Sequence, residues 1–169
     1  MSDFASVEAA IRQLHARYAD AVWRRDLQSF GDCFIEECEW RIGGAVIRGR
    51  TAIVEHMRGV FPKFRRILVT FHTPILTVAG ATASGRTFLT EQSVLADGRG
   101  FAPIGTYFER FVQDGDCWRF AWRLFQTQYA GAPDLSGTFF DNPDFGPPPA
   151  MPPLDAPTFN YTGLHAAND

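Results

Sequence analysis

The chain has 169 residues, of which 46% are apolar and 14% aromatic, so it can bury the core of one globular domain and is not disordered throughout. Its net charge is −3, and its one cationic cluster, residues 58–66, is short and interrupted by apolar residues, which gives nucleic-acid binding little support. No apolar run approaches the ~20 residues of a membrane span, and the N-terminus lacks a basic segment followed by an apolar one. We therefore expect a cytoplasmic protein that binds neither nucleic acid nor membrane.

The first part of the chain has the periodicity of one long amphipathic helix. Apolar residues recur there at spacings of three and four, which predicts a helix from Ser6 to about Arg24 with Ser6 as its N-cap. The residues that form this apolar stripe are Val7, Ile11, Leu14, Tyr18 and Val22. Tyr18 is therefore expected to point into the core.

Two shorter helices are predicted next. Asp26 can cap a helix that carries Leu27, Phe30 and Phe34, because a side-chain oxygen at the N-cap accepts from free backbone N–H groups. A third helix is predicted to begin at Thr51 and to be closed by Pro62.

The remaining elements read as strands. The segment CEWRIGGAVIRG predicts a hairpin around Gly43-Gly44, and four long β-type runs follow between residues 65 and 129, separated by short turns such as Asp97-Gly98 and Asp114-Gly115. Connections this short favour an antiparallel meander over parallel crossovers. Large apolar residues occur at both odd and even positions of these strands, so both faces of the sheet carry them. We therefore expect one face to pack on the helices and the other on a second subunit, as a homodimer or higher homo-oligomer.

The C-terminal part differs in composition. Eight of the eleven prolines fall from Pro133 onward, which predicts a folded domain over residues 1–132 and an extended proline-rich tail over residues 133–169. The tail carries five aromatic residues, so it either lies across a folded surface or is disordered.

Neither cysteines nor histidines have metal-binding spacing. Three cysteines lack any CxxC pattern, and the histidines His15, His56, His72 and His165 are scattered without a carboxylate at a ligand spacing. We predict reduced thiols, no metal and no cofactor.

The order of these elements, with the local patterns RYADAVWRRDLQSFGDCF, CEWRIGG, FHTPILTV and GDCWRFAWR, resembles the SnoaL-like branch of the nuclear transport factor two-like superfamily. The resemblance covers about Ser6 to Tyr129. It implies an α+β fold shaped like a cone, in which a curved, mainly antiparallel sheet wraps around the N-terminal helix and encloses a mostly apolar pocket.

For scytalone dehydratase and lindane dehydrochlorinase, two members of that superfamily, the resemblance implies a histidine base in the strand after the third helix, where this chain has His72. A lone histidine on an apolar strand is otherwise a packed core residue, and that alternative stays open. In those enzymes an aspartate at the end of the first helix orients the histidine, whereas this chain has Trp23 there. Glu91 or Glu109 could orient His72 instead, or could form ordinary salt bridges, depending on strand register.

The resemblance also implies the remaining members of a pocket. Arg123 matches an arginine that could stabilise a developing anion, although it could equally be a solvent-facing strand residue. Tyr18, Val22, Trp23 and Trp40 are predicted to form the pocket wall, and aromatic residues at such positions also occur in cores without a functional role.

Two functions are compatible with these residues. The first is a cofactor-independent lyase or isomerase, similar to a dehydratase, that abstracts a proton from a small apolar, cyclic metabolite with His72 as base and Arg123 as anion stabiliser. The second is a non-catalytic ligand-binding or accessory subunit with the same fold, as in the small subunits of ring-hydroxylating dioxygenases. Fold by itself does not decide between them.

Overall fold

The structure is a computed structural model that describes residues 3–140. Its helices are α1 (Phe4–Arg24), α2 (Leu27–Gly31) and α3 (Arg50–Val60), and a 3-10 turn (Phe61–Lys63) follows α3. The strands are β1 (Phe34–Ile42), β2 (Ala45–Arg48), β3 (Phe64–Phe71), β4 (Ile75–Ala79), β5 (Thr82–Leu95), β6 (Gly100–Phe101), β7 (Ile104–Asp114), β8 (Cys117–Ala130) and β9 (Thr138–Phe139).

One curved sheet contains all the strands of the described region. Its main order is β2-β1-β8-β7-β5-β3, with β4 and β6 pairing with β5 and β9 pairing with β8. Every pair is antiparallel except β1 with β8, which is parallel, so the sheet is mixed and mainly antiparallel. The predicted cone-shaped α+β architecture is confirmed, and the parallel pair arises because the chain places α3 and the rest of the sheet between β1 and β8.

Helix α1 packs its apolar stripe against the inner face of the sheet. Val7, Ile11, Leu14, Tyr18 and Val22 are all buried, as their spacing predicts. The helix begins at Phe4 after Asp3, two residues before the predicted start, and Ser6 lies inside its first turn. The helix starts earlier because the Asp3 carbonyl already accepts a hydrogen bond from the Val7 N–H at 3.1 Å, which makes Asp3 rather than Ser6 the N-cap residue.

The local predictions for the next elements are confirmed with one change. Asp26 caps α2, since its side chain accepts a hydrogen bond from the Ser29 backbone N–H at 3.0 Å. The predicted hairpin is β1–β2, with Ile42 opposite Ala45 across Gly43 and Gly44, both of which have positive φ. Phe34, expected on α2, instead begins β1, where it is fully buried.

The chain after β8 turns back on the sheet. The Tyr129 hydroxyl donates to the Ala132 carbonyl at 2.6 Å, and β9 then pairs with β8, so that the Phe139 ring lies 4.7 Å from the Tyr129 ring. The predicted proline-rich tail therefore begins against the sheet. Residues 141–169, which include most of that tail and His165, lie outside the described part of the chain. No helix among residues 3–140 is long and apolar enough to cross a membrane.

Candidate functional site

A cavity of about 340 Å³ lies between α1, α3 and the inner face of the sheet. Tyr18 and Val22 reach it because they are four residues apart on one side of α1. Trp40 comes from β1. The rest of the wall is largely aliphatic and aromatic, and includes Ile42, Met57, Val60, Phe64, Ile67, Val69, Leu89, Phe101, Pro103, Tyr107 and Phe125. A wall of this composition favours a small apolar ligand.

The ring of Phe125 forms its part of the wall because Gly105 on the neighbouring strand has no side chain. A Cβ atom at Gly105 would overlap the Phe125 ring and would lie 2.6 Å from the Gln126 carbonyl oxygen. Phe125 in turn packs at 4.8 Å, ring centre to ring centre, on Tyr107. Glycine at position 105 is thus required by close packing beside the cavity.

Behind the cavity lies a buried polar cluster centred on Glu109 of β7. The Glu109 carboxylate accepts hydrogen bonds from Arg123 Nε at 2.9 Å, from Thr87 Oγ1 at 2.8 Å and from His15 Nε2 at 2.9 Å. Both Glu109 and Arg123 are 0% exposed. Because an ionised carboxylate can only accept, the His15 nitrogen that faces Glu109 is the protonated one.

Arg123 is also surrounded by aromatic rings. Its Cζ lies 3.7 Å from the ring centre of Tyr107, 4.0 Å from that of Phe120 and 4.5 Å from that of Tyr18. Cation–π attraction of this kind helps to compensate for removing the guanidinium from water. Arg123 does not line the cavity, and the rings of Tyr18 and Tyr107 both contact it and form the wall.

The electrostatics of this cluster favour a fixed ion pair. Burial opposes ionisation of Glu109, but the adjacent His15 and Arg123 outweigh it and lower the pKa of Glu109 from 4.5 to about 2. Burial raises the pKa of both Tyr18 and Tyr107, partly offset by Arg123, so these phenols stay neutral hydrogen-bond donors at pH 7.

The cavity wall itself contains a carboxyl group, Glu91 of β5, whose environment differs from that of Glu109 behind the wall. Burial raises its pKa, and a hydrogen bond from the Ser93 hydroxyl to Oε1 lowers it by less. Among the described residues Glu91 has no ion-pair partner, and Oε2 has no hydrogen bond. Glu91 is therefore a carboxyl group whose proton affinity is increased and whose second oxygen can reach a ligand.

Two more polar side chains line the cavity on the side of α3. Burial, and to a smaller extent Lys63, lowers the pKa of His56, so its imidazole is neutral at pH 7. The His56 ring packs edge-on against Trp40, with ring centres 5.8 Å apart. Trp40 lines the cavity through its ring, and its buried Nε1 has no hydrogen-bond partner within the described chain.

Comparison with known proteins identifies the fold family. The sequence matches the SnoaL-like domain over residues 4–123. The chain belongs to the SnoaL-like domain family. No curated protein matches the sequence.

Several solved structures share this SnoaL-like fold. A candidate scytalone dehydratase from Novosphingobium aromaticivorans is 20% identical, with a TM-score of 0.72 over 82% of this chain and 96% of that one. The hexachlorocyclohexane dehydrochlorinase LinA-type3 from Novosphingobium barchaimii is 17% identical, with a TM-score of 0.69 over 86% of this chain and 97% of that one. A candidate aromatic ring hydroxylase from Novosphingobium aromaticivorans is 25% identical, with a TM-score of 0.71 over 81% and 96%.

The SnoaL-like chain brings three of the predicted wall residues to one cavity, namely Tyr18, Val22 and Trp40. Trp23 is corrected: it does not line the cavity and is 51% exposed. The reason is helical geometry, because the residue next to Val22 is rotated by about 100° to the flank of α1.

His72 also requires a correction. It is exposed, follows the last residue of β3 and does not line the central cavity. Ile67 and Val69 of β3 point inward, so the alternate positions, including His72, point away from that cavity. His72 instead lines a separate polar pocket of about 370 Å³ between α1 and β3, together with His15 and Arg12. It is therefore not a buried core residue either.

Arg123 is placed differently from both alternatives that the sequence left open. It is neither solvent-facing nor on the cavity wall, but is buried directly behind Tyr18 and Tyr107. Glu109 orients a histidine as considered, but the histidine is His15 rather than His72.

The sequence patterns did not point to His15 or His56 as site residues, and for Glu91 they suggested either a partner for His72 or an ordinary salt bridge. A signal for His15 existed, because it lies four residues after Ile11 and three before Tyr18, on the buried side of α1. Among the described residues no three His, Cys, Asp or Glu side chains converge as a metal site would need.

Proposed function

We propose that the protein is a cofactor-independent lyase or isomerase that binds a small apolar, cyclic metabolite in the central cavity and acts on it by proton abstraction. The observation that carries this proposal is Glu91, a carboxyl group with a raised pKa on the wall of an apolar cavity. A base is most effective when its pKa approaches the working pH, and burial without a cation moves a carboxyl group in that direction.

The relatives support the same class of reaction. Two neighbours in fold are named for a dehydratase and a dehydrochlorinase, and both names describe the removal of a small molecule from a substrate. Loss of water or hydrogen chloride involves the removal of a proton from carbon, so a base in the pocket is common to both. Fold similarity does not transfer a substrate, and the argument for this chain rests on its own cavity.

In this proposal Glu91 takes the role that the sequence gave to His72, because Glu91 lines the cavity and His72 does not. In this proposal Arg123 does not contact the ligand and acts only by supporting the cavity wall. Its charge is balanced by Glu109, and it contacts the rings of Tyr18 and Tyr107 that form the wall.

The test uses 2-tetralone, a bicyclic ketone with acidic C–H bonds, as a probe. Binding is measured by quenching of tryptophan fluorescence, since Trp40 lines the cavity, and proton abstraction by NMR detection of hydrogen–deuterium exchange next to the carbonyl. We expect the wild type to bind the ketone and to accelerate exchange over buffer. Glu91→Gln should lower that exchange by about 10²- to 10⁴-fold, the usual contribution of a general base.

The matched control is Glu37→Gln, which makes the same chemical change at an exposed position on β1. It should exchange deuterium at the wild-type rate. Ketone binding without accelerated exchange would contradict proton abstraction, and failure to bind the ketone would contradict the proposed ligand class.

A second candidate is a non-catalytic ligand-binding or accessory subunit. The observation that favours it is the 25% identity to a candidate aromatic ring hydroxylase, whose structure matches 81% of this chain and 96% of its own. This alternative predicts that Glu91→Gln leaves the affinity for 2-tetralone intact and that neither the wild type nor this variant accelerates deuterium exchange.

We further propose that the protein is cytoplasmic and that it self-associates through the outer face of the sheet. Leu68 of β3 and Phe88 of β5 lie on the outer face of the sheet and are 43% and 38% exposed. Apolar side chains left uncovered on a sheet face are suited to contact with a second copy of the chain, as a homodimer or higher homo-oligomer.

A further inference from the structure

We infer that the protein has a second ligand site, which binds a small organic carboxylate in the polar pocket of about 370 Å³ between α1 and β3. The site is separate from the central cavity and does not rest on the function proposed for that cavity. The polar side chains that line it are those of Arg12, Gln13, His15, Thr70, His72 and Thr73.

The pocket exists because one side of α1 carries small side chains next to β3. Four lining residues share that side of the helix, at positions i, i+3, i+4 and i+7, and they are Arg12, His15, Ala16 and Ala19. The two alanines leave space that larger side chains would fill. Arg12 lies one turn before this space, so a ligand held there is within reach of its guanidinium.

The other wall of the pocket is a free edge of the sheet. β3 is the last strand of the main order, so one of its edges pairs with no strand in the described chain. Thr70 and Phe71 lie on opposite faces of β3 and both line the pocket, which places the pocket at this edge. The His72 backbone N–H donates to the Phe88 carbonyl of β5 at 2.9 Å, and successive residues of an antiparallel strand direct these groups to opposite edges. The Phe71 backbone N–H therefore faces the free edge.

The groups around this pocket suit an anion. Arg12 is exposed and forms no ion pair among the described residues, and no carboxylate lines the pocket. A guanidinium presents paired N–H donors that match the two oxygens of a carboxylate. The His72 imidazole and the Thr73 hydroxyl add further donors. The Phe71 ring and the alanines of α1 offer an apolar surface to a carbon skeleton, which favours an organic acid over an inorganic anion.

His15 forms the buried end of the pocket. It is 3% exposed, whereas Arg12, Thr70 and His72 are exposed. Its Nε2 is held by Glu109 at 2.9 Å, and its Nδ1 has no hydrogen-bond partner in the described part of the chain. A buried polar atom without a partner is uncommon in folded proteins. The pocket therefore ends on a polar ring whose orientation is fixed and whose hydrogen bonds the chain does not complete.

The test uses 4-fluorobenzoate as the probe and 4-fluorobenzamide, which has a similar shape and no charge, as the matched ligand. Binding of each is measured at pH 7 by fluorine NMR titration in about 0.15 M sodium chloride, where exposed charges more than about 8 Å apart are largely screened. We expect saturable binding of the carboxylate to the wild type. The amide should bind about tenfold more weakly, because a hydrogen bond to an ionised acceptor is roughly twice as strong as a neutral one.

Variants then locate the bound carboxylate. Arg12→Gln should weaken binding of 4-fluorobenzoate by about tenfold and His72→Ala by about threefold, since each removes a donor from the pocket. The matched control is Arg17→Gln, which makes the same change at an exposed position of α1 outside the pocket and should bind like the wild type. Ala16→Leu fills the space without changing the charge and should weaken binding as much as Arg12→Gln. Thermal melts of each variant check that it is folded.

Contrary results would overturn the inference in distinguishable ways. Equal affinity for the acid and the amide would show that the pocket does not recognise the charge of the ligand. Unchanged binding of 4-fluorobenzoate by Arg12→Gln and Ala16→Leu, with displacement by 2-tetralone, would place the probe in the central cavity instead. No saturable binding to the wild type would exclude the ligand class. None of the replaced residues lines the central cavity, so each of these results leaves the proposed function to its own test.

Discussion

Replacing Glu109 by glutamine tests whether the buried cluster stabilises the protein as an ion pair. The change keeps the shape of the side chain but leaves Arg123, which is 0% exposed, without its counter-ion. Removing one partner of a buried ion pair typically costs about 3–5 kcal/mol. For a chain of this size about 1 kcal/mol corresponds to about 2–4 °C in Tm, so we expect Tm to fall by about 6–20 °C.

The pH dependence of stability gives a second, independent value for the stabilisation by the Glu109 ion pair. The pKa of Glu109 is about 2 in the folded protein, against a usual value of 4.5. At about 1.4 kcal/mol per pH unit this difference corresponds to about 3 kcal/mol. Because the folded pKa is depressed, this stability is present above pH 4.5 and is lost as the pH falls towards 2.

The assay is urea unfolding of the wild type and Glu109→Gln between pH 7 and pH 3. The wild type should lose stability on acidification more steeply than the variant, since other carboxylates affect both proteins alike. A double replacement, Glu109→Leu with Arg123→Met, should recover most of the loss because it removes both charges. Equal pH slopes, or a loss below about 1 kcal/mol at pH 7, would refute the ion-pair reasoning.

The exposed residues give further predictions. His72→Ala should change the free energy of unfolding by less than about 0.5 kcal/mol and leave 2-tetralone binding unchanged, because His72 is exposed and outside the cavity; a loss of exchange activity in that variant would restore His72 as the base. Trp23→Asp should not raise the exchange rate, as Trp23 is 51% exposed and outside the cavity wall, and a clear increase would contradict that placement. Sedimentation velocity at micromolar concentration should detect an oligomer that Leu68→Lys or Phe88→Lys dissociates, whereas a monomeric wild type would refute self-association through the outer sheet face.

Local elements could be predicted from the sequence because their causes are local. The apolar stripe of α1 follows from a period that brings Ile11, Leu14 and Tyr18 to one side of a helix, whatever they contact. The Asp26 cap and the Gly43-Gly44 hairpin depend on hydrogen bonds and φ angles within a few residues. The wall residues Tyr18, Val22 and Trp40 lie where helix periodicity and the family resemblance placed them.

Which polar side chains reach the cavity depends on the tertiary structure. Side chains in a strand alternate between the two faces of the sheet, so Val69 of β3 lines the cavity while its immediate neighbours in the strand point away from it. His72 is three residues after Val69 and therefore points away from the cavity as well. Glu109 and His15 are 94 positions apart and meet only after α1 packs on the sheet. Glu109 is neutralised by Arg123, whereas Glu91 has no cation beside it among residues 3–140. This difference depends on which strands are neighbours, and no local pattern in the sequence encodes that pairing.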